Sequence, residues 1–312
     1  MSYLSSPFDG AGRDLCALTT YFDPVGFKTP RSHYHTVAAA LERVRVPLFT
    51  VECAFADRPF ALSGPSVLQL RATSRCWQKE RLLNELERHV PPQYTKLAWI
   101  DADVLFENGN WATETSVALE KYPIVQLFDS YLWLGQDNKP MFDVAESGAL
   151  AGFATKSGPQ IITYDRHPGF AWAMRRSLWK KLGGLYDIAG TTAGDSVICC
   201  ACKGLDTVFG FLACGKTAMG RARYAEWRKA VCGKASWIPG MVRHLWHGDR
   251  HDRLYEAFEA WLAQCRFNPQ TDLRIADNGV WEFTGRNPVF EQRCSSYLRL
   301  RKEDGQQPTP GA

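Results

Sequence analysis

Between residues 15 and 100 the chain alternates apolar runs of strand length with helical patterns, a sequence texture that restricts it to folds built on βαβ units. Residues 15–20 (LCALTT) read as a buried strand, and a loop with Asp23, Pro24, Gly26 and Pro30 follows. Residues 33–44 read as a helix. Pro47 then opens a second strand over 48–55, rich in β-branched and aromatic side chains. After a Ser-Gly-Pro break at 63–65, residues 77–89 carry Leu82, Leu83 and Leu86 at helical spacing until Pro91 and Pro92 end the pattern. A third strand over 97–100 runs straight into Asp101-Ala102-Asp103. A fourth is expected over 123–128 and a fifth over 169–174, the latter followed by a helix over 175–182 that Gly183-Gly184 closes. Residues 135–165 have the composition of a loop, suited to covering a substrate. The expected class is α/β, a Rossmann-like mixed central sheet with flanking helices. The expected organisation is an extension over 1–13, one domain over 14–255, a helical or irregular elaboration over 256–305 and a disordered tail over 306–312.

Composition narrows the function classes. With 45% hydrophobic and 22% charged residues in 312, there is ample chain for a large core, so a disordered or fibrous chain is excluded. Thirty-seven Lys and Arg against 33 Asp and Glu leave only +4, too little for bulk attraction to nucleic acid, although a local basic patch is compatible with it. Eleven Trp, 11 Tyr and 17 Phe supply many flat faces that can stack on sugars or bases. The first fourteen residues lack a basic start and an apolar run, and no eighteen apolar residues occur in a row, so a cytoplasmic protein with no membrane partner is expected. The ten cysteines then read as thiols, with Cys199 and Cys202 as small buried residues on an apolar helix.

Two carboxylates two residues apart at a strand end require explanation, because ligands of α/β folds bind at the carboxyl ends of strands. Such a pair repels itself unless a cation intervenes. A hard divalent cation such as Mn²⁺ or Mg²⁺, itself holding phosphate oxygens, resolves the conflict. A strand-end turn in which both carboxylates accept from local amides is the alternative. Asp101-Ala102-Asp103-Val104-Leu105 also resembles the start of haloacid dehalogenase-like phosphatases, whose first aspartate is a nucleophile and whose second is a general acid and base.

Four further stretches and the Asp-Ala-Asp together resemble the β-1,4-galactosyltransferases and their relatives of GT-A fold. Thr19-Thr20-Tyr21-Phe22-Asp23-Pro24 is similar to the family's nucleotide-holding turn, which makes Thr20, Tyr21 and Phe22 candidate donor contacts. Trp77-Gln78-Lys79-Glu80-Arg81-Leu82-Leu83-Asn84 is similar to a helix start that contacts the nucleotide diphosphate, which adds Trp77 and Lys79. Asp101-Ala102-Asp103 stands for the family's metal-binding Asp-Val-Asp, with Asp101 also on the donor. The passage from Gly169 through Gly183-Gly184 to Gly194-Asp195 looks like the acceptor region, where Asp195, followed by Ser196, keeps one acid of the family's pair and is the candidate general base. Met241-Val242-Arg243-His244 resembles the family's Met-Ile-Arg-His and makes His244 a metal ligand, with His247 as a neighbouring rival.

The resemblance implies a metal-dependent, inverting hexosyl transfer from a nucleoside-diphosphate sugar, a UDP-sugar foremost, to an acceptor hydroxyl. Asp101, Asp103 and His244 or His247 would hold Mn²⁺ or Mg²⁺, Lys79 would add a positive contact, and Asp195 would take the proton. Residues 216–234, with Lys216, Arg221, Arg223, Arg228 and Lys229 against one acid, Glu226, suggest a DNA acceptor such as a hydroxymethylated pyrimidine; a solvated helix face is the plainer account. A saccharide or protein acceptor, an aspartyl-phosphate phosphatase, and a non-catalytic sugar-nucleotide or nucleic-acid binding protein are the competing readings.

Overall fold

In a computed structural model, residues 3–5, 14–142, 145–155 and 166–305 are described. The expected extension over 1–13 falls mostly outside them, as do part of the loop-like stretch (143–144 and 156–165) and the tail 306–312. The first strand, β1 (Leu15–Phe22), leads into α1 (Thr29–Arg43), which carries Pro30 in its first turn where a missing N–H costs nothing. Next, β2 (Leu48–Phe55) lies parallel to β1 with Ala17 opposite Leu48. A strand that pattern reading passes over, β3 (Val67–Ala72), pairs parallel with β2. Its alternate residues are only half-buried, as befits an edge. The helix α2 (Lys79–Glu87) then delivers β4 (Lys96–Ile100) to the other side of β1.

From Ile100 the chain leaves the first sheet. Only three residues, 101–103, separate β4 from β5 (Val104–Phe106), and α3 (Trp111–Lys121), β6 (Ile124–Gln126) and β7 (Ser130–Trp133) follow. Within the loop-like stretch, β8 (Glu146–Gly148) and α4 (Ala149–Thr155) form because Glu146 registers against Tyr131 of β7, a pairing that local periodicity cannot announce. After β9 (Arg166–His167) comes β10 (Ala171–Arg175), then α5 (Arg176–Lys181), α6 (Gly194–Lys203), α7 (Asp206–Phe211) and α8 (Ala218–Val231). Two short strands, β11 (Ala235–Trp237) and β12 (Met241–His244), precede a C-terminal set: α9 (Tyr255–Gln264), α10 (Pro269–Asp272), the hairpin β13 (Leu273–Ile275) and β14 (Trp281–Phe283), and α11 (Pro288–Leu300).

The central sheet has the order β11-β6-β10-β4-β1-β2-β3, with β10 antiparallel to both its neighbours. A second sheet, β5-β12-β7-β8-β9, receives the chain after Asp103. This is the Rossmann-type mixed central sheet with flanking helices expected from the sequence. Apolar side chains fill both faces of the central sheet. On one, Trp99 and Trp172 stack across neighbouring strands at 6.5 Å with Trp179 edge-on to the former. The C-terminal set packs into that same cluster through Phe258, Leu262, Phe290 and Tyr297. Glu282 of β14 fastens it, accepting from the amides of Thr73 and Ser74 and from the Thr73 hydroxyl. All ten cysteines are free thiols, and Cys199, Cys200 and Cys202 lie buried along α6. No helix among the described residues is long and apolar enough to cross a membrane.

Candidate active site

Residues 101–103 bridge two sheets, and that crossing sets the geometry of the site. The Asp101 amide donates to the Phe170 carbonyl (2.8 Å) just before β10, while the Leu245 amide donates to the Asp103 carbonyl (2.8 Å) just after β12. Phe170 is held at φ 77°, in the left-handed region unfavourable to a bulky side chain, with its ring stacked on His167 at 3.9 Å. The two carboxylates therefore meet different partners.

Asp101 meets Lys79, the first residue of α2, whose Nζ lies 2.6 Å from Asp101 Oδ1 and 2.8 Å from Oδ2 of Asp195, in the first turn of α6. Burial opposes the Lys79 charge, but Asp101 and Asp195 outweigh it and hold the ammonium well above its ordinary value. Asp101 moves upward, because burial and the charges of Asp195 and Asp103 exceed the relief from Lys79. Beside them, burial pushes Glu80 up to about 8 against the pull of Lys79, and its Oε2 accepts from Trp77 Nε1 at 3.1 Å. Glycine at 194 is a requirement of this arrangement, since a Cβ there would stand 2.2 Å from Glu80 Oε1.

Asp103 meets two imidazoles. Its Oδ2 is 2.8 Å from His247 Nε2 and 3.7 Å from His244 Nε2, and those two nitrogens are 3.2 Å apart. The ligand atoms of the three residues all lie within 4.8 Å of one another. Asp103 Oδ1 and His244 Nδ1 are buried without hydrogen-bond partners among the described residues. Burial drives His244 toward the neutral imidazole that ligates metals, against the pull of the Asp103 carboxylate. An ionised carboxylate, two imidazoles and an unsatisfied buried oxygen fit a divalent transition metal, and two nitrogen donors suit Mn²⁺ better than Mg²⁺. Asp101, expected from the sequence as a ligand, lies outside this cluster with its Oδ1 on Lys79.

All ten residues singled out from the sequence, Thr20, Tyr21, Phe22, Trp77, Lys79, Asp101, Asp103, Asp195, His244 and His247, line one cavity of about 810 Å³. Phe22 sits edge-on to Trp77 at 5.3 Å, so the stretches 19–24 and 77–84 share an aromatic corner. Trp133 also lines the cavity, whereas Tyr131 and Trp172 are core residues. Sequence reasoning missed Glu80, His33 and His167, and above all Arg253, Arg301 and Glu303 from the C-terminal part, all but Glu80 on the cavity wall. The run Arg299 to Asp304 has the composition of a solvated helix end, and no local signal marks it as part of a site. In the basic segment, Arg223 and Arg228 pair with Glu226 and Asp206, Arg221 donates to the Lys216 carbonyl, and Lys216 reaches the cavity.

No family model matches the chain, and no curated protein matches it in sequence. Among solved structures it is similar to a Drosophila β-1,4-galactosyltransferase 7 complexed with manganese, UDP-Gal and xylobiose, at 15% identity over 59% of each chain with a TM-score of 0.34. The alignment thus spans less than two thirds of that protein. It is also similar to 4-diphosphocytidyl-2C-methyl-D-erythritol synthase from Anaerococcus prevotii (13% identity, 72% of this chain and 88% of that one, TM-score 0.33). A third is a putative glucose-1-phosphate thymidylyltransferase from Bacillus anthracis in complex with sucrose (8% identity, 94% of this chain and all of that one, TM-score 0.36).

Proposed function

We propose that this chain is a divalent-metal-dependent glycosyltransferase that moves a hexose from a nucleoside-diphosphate sugar, with UDP as the nucleotide, to an acceptor hydroxyl with inversion. One observation carries the reading: a carboxylate and bis-imidazole ligand set, Asp103, His244 and His247, stands in the same cavity as a Lys79 bridging Asp101 and Asp195. Asp103, His244 and His247 would hold a divalent cation, which would supply Lewis-acid compensation for negative charge on a diphosphate leaving group. Lys79 brings a second positive charge to the same wall. With Lys79 on Oδ2, Asp195 has Oδ1 to accept the proton of the attacking hydroxyl. Trp77 and Phe22 offer faces for the base or sugar.

The phosphatase reading needs Asp101 as nucleophile and Asp103 as general acid. The two histidines against Asp103 support a metal ligand there instead. For the acceptor, Phe211, Leu212, Glu256 and Glu259 line the cavity, with Lys216 as the contribution of the basic segment. This wall supports a neutral saccharide hydroxyl over a phosphodiester. A hydroxymethylated pyrimidine in DNA stays as the second reading, supported by the exposed Arg221 and Lys229 of α8. A panel of nucleotide sugars tested with and without Mn²⁺ decides the donor. We expect a UDP-sugar to raise the melting temperature and to be slowly hydrolysed only when Mn²⁺ is present. No stabilisation by any nucleotide sugar, together with turnover of an aryl phosphate, would overturn the proposal. DNA retention that weakens steeply with salt would move the acceptor back to the base.

A further inference from the structure

Two buried arginines face the cavity from the C-terminal part of the chain. Arg253 is 4% and Arg301 is 7% exposed, and both line the wall with Trp77 and Glu303. Arg301 Nε donates to Glu303 Oε1 at 2.6 Å, Nη1 reaches the Tyr297 hydroxyl at 3.2 Å, and the guanidinium lies 5.5 Å over the Trp77 ring. Arg253 Nη2 donates to the His247 carbonyl at 2.8 Å. Its Nη1 is buried without a hydrogen-bond partner among the described residues, and Glu303 Oε1 stands 3.9 Å from it, beyond hydrogen-bond reach.

Two guanidinium groups share one carboxylate in a water-poor wall, and Arg253 keeps one nitrogen unsatisfied. An unsatisfied buried guanidinium nitrogen is costly unless an anion completes it. Guanidinium forks match phosphate oxygens bidentately. Glu303 is not free to drift away from the pair, since the carboxylate of its neighbour Asp304 accepts from the amides of Lys28 (2.9 and 3.0 Å) and Thr29 (2.8 Å) at the start of α1.

We propose that Arg253 and Arg301 form an anion site that grips the diphosphate of the donor, with Glu303 as the built-in carboxylate against which a phosphate competes. The proposal rests on the nucleotide-sugar reading and locates the diphosphate beside the Asp103, His244 and His247 set, because Arg253 holds the His247 backbone and Glu303 Oε1 lies 3.7 Å from His247 Nδ1.

Inorganic pyrophosphate, titrated calorimetrically into the full chain in EDTA, tests the arginine pair without metal, and a separate Mn²⁺ titration tests the metal ligands. Glu303→Gln keeps the shape and removes the competing charge, so pyrophosphate should bind roughly tenfold tighter, the size of one charge interaction at a few ångströms in a partly solvated site. Arg253→Gln should bind it at least about tenfold more weakly, with Arg253→Lys, which keeps the charge, falling between. Circular dichroism confirms that each variant folds. A merely structural trio would weaken binding, or leave it unchanged, in Glu303→Gln as well, and that result overturns the proposal. Mn²⁺ binding by the wild type without pyrophosphate binding sinks the arginine site and spares the metal site. Loss of both sinks both, and pyrophosphate binding that Arg253→Gln weakens, without Mn²⁺ binding, upholds the arginine site while refuting the metal ligands.

Discussion

Replacing Lys79 with methionine should convert a buried network of one ammonium and two carboxylates into two uncompensated carboxylates. The ammonium is 2.6 Å from Asp101 and 2.8 Å from Asp195, and its side chain is 10% exposed. Breaking a buried pair costs about 3–5 kcal/mol; Asp101 keeps 27% of its side-chain exposure toward the cavity, which argues for the lower end, about 3 kcal/mol. With an unfolding entropy of about 2.1 cal/mol/K per residue over a chain of this length, each kcal/mol is worth roughly 1.5 °C, so Lys79→Met should melt roughly 5 °C below wild type near neutral pH. The loss should depend on pH in a defined direction. Asp101 already has a folded-state pKa raised above its unfolded value, and removing Lys79 raises it further. A carboxyl of that kind is most favourable to the fold when protonated, and its contribution is lost as pH rises through the raised pKa. The deficit should therefore be smaller at pH 5 than at pH 8. Melting curves by circular dichroism in EDTA at several pH values measure it. An unchanged melting temperature at pH 8, or a deficit equal at pH 5 and pH 8, would refute the charge argument.

Asp103→Ala removes the oxygen shared by the two imidazoles, so Mn²⁺ should no longer raise the melting temperature and metal-dependent transfer should vanish, as calorimetry and a turnover assay will show. Asp195→Asn should spare donor binding and lose turnover; full activity would remove Asp195 from the base role. Gly184 has φ +102° and its Cβ would lie 2.3 Å from Asn84 Oδ1, so Gly184→Ala must break the clamp of Asn84 on Leu185 and should cost at least about 2 kcal/mol in denaturant unfolding. Glu282 is buried and its carboxyl is held below the usual range by the Ser74 and Thr73 donors despite burial. Its contribution is present above the unfolded pKa and lost as pH falls through the folded one, so Glu282→Gln should flatten the acid limb of the stability curve.

What the sequence determined by itself is the local pattern. Apolar runs over 15–20, 48–55 and 97–100 are buried on both faces in any sheet that contains them, and the spacing of Leu82, Leu83 and Leu86 specifies one helix face whatever covers it. An Asp-x-Asp at a strand end marks a ligand position for the same reason, because the carboxyl ends of such strands open onto one edge of the sheet. Partner choice lies beyond such signals. Tertiary structure alone decided that Asp101 meets Lys79 while Asp103 meets His244 and His247, since that depends on β5 pairing with β12 across more than a hundred residues. The same holds for Arg253, Arg301 and Glu303, brought to the cavity by a segment whose Asp304 contact with Lys28 spans 276 positions. Side chains so far apart in the chain carry no shared periodicity, and only the packing of the C-terminal helices onto the first sheet gives them a common site.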